Sequence, residues 1–179
     1  MKKLALFVFA LSLMACSNPE KAIEKDVKLY LEKSNPAGIK DYKPIETILT
    51  DTIYTQELAK EKIKDFEHTV QHFQNNIKNS WEGMAEAYKA GIESYNEDIR
   101  TLKSLHDGIE YYVFEHKFEI ANRNGLITTK NLNILTDSDY KVLFIHNYSL
   151  DGKASNLFYD KYNIKLFDLS TYHLKKKQK

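Results

Sequence analysis

Three observations in this 179-residue sequence predict an α+β fold: a short antiparallel sheet, an N-terminal helix packed on it and an inserted antiparallel helical hairpin. Apolar residues recur at heptad spacing through 55–106. The last third alternates apolar and polar residues, punctuated by Asn124-Gly125 and Asp137-Ser138. An amphipathic stretch then a Thr- and Ile-rich run precede both.

The first helix is signalled by Ser17 or Asn18 as N-cap, Pro19 in the first turn and Glu20 beside it. Ile23, Val27, Tyr30 and Leu31 form its apolar stripe, and Asn35-Pro36-Ala37-Gly38 stops it. Residues 42–54 read as a strand, with Pro44 near the start, where proline is tolerated. Ala59, Ile63, Phe66, Val70, Phe73 and Ile77 make one heptad seam. Ala85, Tyr88, Ile92, Tyr95, Ile99, Leu102 and His106 make a second, out of phase with the first. An unbroken helix over this region would be about 78 Å long, so two antiparallel helices joined near 79–83 are expected. Ser80 is the expected N-cap of the second helix, and Gly91 is the alternative break.

Tyr112, Phe114, His116, Phe118 and Ile120 share one face of a strand. Residues 126–136 return and 140–148 form a third strand, with Val142, Phe144 and His146 on one face. Two-residue turns at Asn124-Gly125 and Asp137-Ser138 would pair 116 with 133 and 133 with 142. Residues 157–169 fit a strand or a short helix.

Met1-Lys2-Lys3 followed by the uncharged run from Leu4 to Met14 has signal-peptide proportions, too short to span a bilayer. Leu13-Met14-Ala15-Cys16 closes it and resembles the lipobox of bacterial lipoproteins. The resemblance implies diacylglycerol on the thiol of Cys16, cleavage before it and acylation, typically palmitate, of the new amino terminus. Ser17 rather than Asp after the cysteine resembles outer-membrane targeting. On this reading 1–15 is a cleaved signal peptide, 16–19 a lipidated tether, 20–174 a single domain with the hairpin inserted at about 55–106, and 175–179 a basic tail. The tether would reach at most ~10–14 Å, holding the body near the bilayer. The order of elements, and the aromatic strand from His116 into the Asn-rich turn at Gly125, resemble small cystatin-like lipoproteins of unassigned function. That resemblance supplies no catalytic residue.

Charge and composition exclude several classes. Lys plus Arg is 26 against 25 Asp plus Glu, so no field recruits nucleic acid. One cysteine leaves no multi-cysteine metal site and no disulfide framework. The glycines are too scattered for a phosphate cradle, and no Gly-x-Ser-x-Gly elbow exists.

Two histidine pairs merit weighing as metal sites. His68 and His72 stand at i and i+4, a ligand-compatible spacing, but on heptad positions that face away from the partner helix. His106 would lie opposite residue 56, far from both. In the expected register His116 and His146 are ~16 Å apart, too far to share an ion. Solvent-exposed helix histidines are the plainer reading of His68 and His72, and half-buried, hydrogen-bonded core histidines that of His116 and His146; no metal, cofactor or catalytic residue is expected. The run Glu57, Lys60, Glu61, Lys64 and Asp65 reads as a solvated face. Twelve tyrosines could line a binding surface, though most fall on seam or strand positions. Lys175, Lys176, Lys177 and Lys179 could touch anionic lipid headgroups or fray in solvent.

The expected function is that of a lipid-anchored, non-enzymatic binding or accessory module of the bacterial envelope. Its partners would be the membrane through Cys16 and an envelope protein through the helical hairpin. The alternatives are an envelope hydrolase with a His116 or His146 site flanked by two acids, and an immunity or inhibitor lipoprotein.

Overall fold

The computed structural model describes residues 19–34, 40–122, 124–147 and 150–169. Cys16, the expected caps Ser17 and Asn18, the stop at 35–38 and the tail at 175–179 lie outside the described residues. Chain order is α1 (Pro19–Ser34), β1 (Lys40–Tyr54), α2 (Thr55–Ile77), α3 (Glu82–Ser104), β2 (Ile109–Ala121), β3 (Ile127–Asp137), β4 (Val142–His146) and α4 (Asp151–Lys161). The strands form one antiparallel sheet in the order β1-β2-β3-β4, with a helix before it and a helical hairpin between its first two strands. This is the predicted fold class.

The chain divides into two compact units, a division that the single-domain reading of 20–174 does not draw. Among the described residues, the first unit holds α1, β1 up to Thr52, and the chain from Tyr111 to Leu150. The second holds Ile53–Glu110 and the chain from Asp151 onward.

In the first unit, Ile23 and Val27 of α1 are fully buried against Phe114, Ile134 and Ile145. Burying such side chains contributes roughly 1.5–3 kcal/mol each. Leu31 packs beside them as predicted, but Tyr30 is 41% exposed. It stands on the flank of the helix, not on the stripe.

The register of the sheet departs from the two-residue turns expected. At the first turn, Asn122 N donates to Leu126 O and Gly125 N to Asn122 O, with Gly125 at φ +76°. Asn122 Oδ1 accepts the amides of Asn124 and Leu126. The second turn repeats this pattern residue for residue. Asp137 N donates to Lys141 O, Tyr140 N to Asp137 O, and Asp137 Oδ1 accepts the amides of Asp139 and Lys141. The positive φ falls on Tyr140, at +64°. Each loop thus has three residues, led by an Asx side chain that mimics a backbone turn.

The longer loops slide the pairing. His116 lies opposite Leu132, not 133, and Asn133 lies opposite His146, not 142. A register shift between Leu135 and Thr136 adds one more residue. It separates Val142, which packs on the α1 face with Ile145, from Phe144 and His146, which share the other face. The expectation that all three share a face is therefore corrected.

In the second unit, α2 and α3 form the expected antiparallel hairpin. Gln56 Nε2 donates to Leu105 O at 2.6 Å, so the mouth closes where predicted. The turn occupies 78–81, but Trp81, not Ser80, is the N-cap of α3. Ser80 Oγ instead donates back to Asn76 O at 2.8 Å. Ala59, Phe66, Phe73, Tyr95, Ile99 and Leu102 are buried seam residues as read from the sequence. In the first half of α3 the buried positions are Ala87 and Gly91, while Ala85, Tyr88 and Ile92 are half-buried. Gly91 is no break: a Cβ there would lie 2.6 Å from the Phe73 ring, so its bare backbone permits the close approach of α3 to α2. His106 lies beyond the end of α3, exposed.

The undecided segment 157–169 begins inside a helix. α4 buries Ala154 and Phe158 one turn apart, and Lys62 lies over both the Phe66 and Tyr159 rings. After α4 the chain is irregular through 164–168, and Phe167 meets the edge of Tyr95.

Candidate functional site

Three polar or open sites stand out among the described residues. The first is a groove of about 500 Å³ in the first unit. Its helix wall is Asp26, Leu29, Tyr30 and Lys33, the i, i+3, i+4, i+7 stripe on the flank of α1. Its other wall is the whole of β4, all five residues from Val142 to His146. Successive strand residues point to opposite faces, so a surface that shows all five without any residue of β3 is the outer edge of the strand. Among the described residues β4 ends the strand order of the sheet. Leu29 and Leu143 are 43% and 37% exposed there. A second concavity, about 430 Å³, shares Tyr30 and His146 with the first and reaches Phe118 and Leu132.

The second site is His116, wholly buried, with its ring stacked on Phe118 at 5.4 Å. Tyr42 OH is 2.7 Å from Nε2 and Thr47 Oγ1 is 2.9 Å from Nδ1. Tyr42 OH also reaches Glu24 O of α1 at 3.4 Å. Tyr42 and Thr47 are an odd number of residues apart, so regular alternation along β1 must break between them; Pro44, without an N–H, lies in that interval. Burial pushes the His116 pKa down. Burial, then the Glu24 carboxylate, pushes Tyr42 up to about 12. Either neutral tautomer of His116 satisfies both ring nitrogens, whereas the imidazolium would require both hydroxyls to accept.

The third site lies in the second unit. The Glu110 side chain is 2% exposed, and its two oxygens are fully engaged. Lys161 Nζ donates to Oε1, while Thr55 Oγ1 and Tyr162 OH donate to Oε2 at 2.9 and 3.1 Å. Burial alone would lower the Lys161 pKa, but the hydrogen bond and charge of Glu110 outweigh it and hold it above its usual value. Burial, then the charge of Glu110, raises Tyr162.

The sequence-predicted residues are dispersed. His68 and His72 are exposed on α2, where Asn76 Nδ2 donates to His72 O at 2.8 Å. His116 and His146 pair with successive residues of β3, which places them on opposite faces of the sheet. They are separated by the sheet itself, not by the four-residue offset expected. Among the described residues no three His, Cys, Asp or Glu side chains converge on one point. Glu57, Lys60, Glu61, Lys64 and Asp65 are exposed. Tyr112 stacks on Tyr140 at 4.8 Å and Phe73 meets Tyr88 at 5.0 Å, so these tyrosines serve packing.

Two features escaped the sequence reading. Glu110 was one carboxylate among twenty-five; its only signal is a charge at an inward strand position. The groove's signal was Leu29, an apolar residue beside the helix stripe; its strand wall, Val142–His146, is shorter than the 140–148 read from the sequence. Among the described residues no helix is long and apolar enough to cross a membrane. Comparison of the chain with protein-family models, curated proteins and solved structures finds no match.

Proposed function

We propose that the protein is a lipid-anchored component of the bacterial envelope that works as a non-enzymatic binding module, with its ligand in the α1–β4 groove. The observation that carries the binding role is that groove of about 500 Å³, walled by β4 and by an apolar helix flank that exposes Leu29. The two most buried titratable groups outside it, His116 and Glu110, have every polar atom taken by neighbours, which favours a structural role for both. A hydrolase would need a histidine with two carboxylates in one concavity; the groove brings together His146 and one carboxylate, Asp26. The address rests on the basic start, the apolar run and Leu13-Met14-Ala15-Cys16.

A second contact surface is favoured by Trp81, 65% exposed at the tip of the helical hairpin, since exposed tryptophan is characteristic of protein contacts. The anchor is tested by Cys16→Ala, which is expected to move the protein from the membrane to the soluble fraction. Mass spectrometry of the native chain should find a diacylglyceryl group on Cys16. A bare thiol, or a retained leader, overturns the address.

A further inference from the structure

We infer that the α1–β4 groove takes a single-chain amphiphile with an anionic head, its apolar tail along the groove and its head at the C-terminal end of α1. The inference rests on the binding-module reading above and names its ligand class. The groove has a direction. Asp26 lies at one end of its helix wall and Lys33 at the other, seven residues or about 10 Å along α1. Between them the lining is apolar, with Leu29 and Tyr30 on the helix and Leu143 on the strand. The second concavity shares Tyr30 with the groove, and its lining includes Ser34, Lys130 and Leu132 but no carboxylate. Lys130 is a charge on an apolar face. Positions 130, 132 and 134 of β3 share one face of the sheet, and Lys130 stands directly opposite Phe118. Ile134 and Leu132 pack in the core that α1 completes, whereas Lys130, the next position on that face, is exposed. Among the described residues neither Lys33 nor Lys130 makes an ion pair. A lysine ammonium is a compact charge with three donors, suited to a carboxylate or a phosphate. Asp26 repels such a head from the other end, which fixes the orientation of the ligand. Concavities of about 500 and 430 Å³, apolar with a few charged groups at their ends, have the size and make-up of small-molecule sites.

The test uses the full mature chain carrying Cys16→Ser, so its outcome is independent of lipidation. Alkanoates from hexanoate to decanoate are titrated below their micelle concentrations, followed by calorimetry and by the methyl NMR signals of Leu29, Leu132 and Leu143. The expected result is saturable binding that tightens about fourfold with each added methylene. Decyltrimethylammonium should bind more weakly than decanoate by about tenfold or more. Lys33→Met combined with Lys130→Met should weaken decanoate by about tenfold or more and leave decanol unchanged. Both changes fall on exposed side chains, and circular dichroism checks that the variant folds. Decyl phosphate tells two sources of an anionic head apart: binding tighter than that of decanoate marks a phosphate-headed lipid, and weaker binding a free fatty acid. No saturable binding overturns the inference, as does equal affinity for the ammonium or a double variant that binds decanoate as tightly as the parent. If an envelope extract shifts the Leu29 and Leu143 methyls when no alkanoate does, the groove holds a ligand of another class and this inference alone falls. If neither shifts them, the binding-module reading falls with it. The diacylglyceryl mass on Cys16 still decides the anchor separately.

Discussion

The two units bury a titratable group in opposite ways. In the first, His116 sits among Phe118, Tyr42 and Thr47, neutral, with hydroxyls on both nitrogens. In the second, the Glu110 carboxylate is ion-paired with Lys161 through one oxygen, while Thr55 and Tyr162 donate to the other. A neutral buried group needs only dipoles, whereas a buried charge needs a countercharge. The two units should therefore respond to mutation and to pH differently.

The largest effect is expected in the second unit. Lys161→Met leaves the Glu110 carboxylate buried without a cation, at a cost of about 3–5 kcal/mol. Glu110→Gln should cost less, about 1–2 kcal/mol, because Lys161 is 55% exposed and returns to water. Urea unfolding of the two variants measures the asymmetry; equal losses would mean that Glu110 is held by its hydroxyl partners rather than by charge.

Next is the first unit. His116→Leu leaves the hydroxyls of Tyr42 and Thr47 without their ring partners and should cost about 1–3 kcal/mol. The same variant should flatten the acid response of this unit. The folded His116 pKa lies below the unfolded value near 6.5, so the unfolded chain takes up the proton first as pH falls. Stability is then lost below pH 6.5, by about 1.4 kcal/mol for each unit over which the folded histidine stays neutral. Amide exchange at Phe114 and Ile134 should speed up between pH 6.5 and 5 after correction for intrinsic rates, while Phe66 and Tyr95 hold. Lys161 gives the opposite sign. Its folded pKa is raised, so its contribution is intact below about 10.5 and lost as pH climbs through the folded value.

The smallest effect separates the two Asx-led loops. Gly125→Ala should cost about 1 kcal/mol in thermal unfolding, since alanine at φ +76° is strained. Tyr140 already bears such strain, offset by its stack on Tyr112.

Periodicity made the elements legible, because both heptad seams and strand alternation persist for many residues. Ile23, Val27, Phe114, Phe66 and Tyr95 all fall on predicted stripes and are buried. Loop length was not legible from a dipeptide. Asn122 and Asp137, each two residues ahead of another Asx, set three-residue loops, and each extra residue flips side chains to the other face. Gly91 reads as a helix breaker by propensity, but packing against Phe73 overrides it. The groove was invisible for a different reason. It is made by α1 and β4, more than a hundred residues apart in sequence, and only the fold brings them together.

The hairpin between β1 and β2 has a kinetic consequence. Thr50 Oγ1 bonds Val113 O, so the two strands must meet across the whole length of the intervening helices. Closing so long a loop from a random chain is entropically slow. Local winding of α2 and α3 shortens it. Thr55 N bonds Gly108 O at 2.9 Å, so the finished hairpin holds the ends of the two strands side by side. The helices thus act as a built-in splint: assembled early from near neighbours in sequence, they turn a distant strand pairing into an adjacent one.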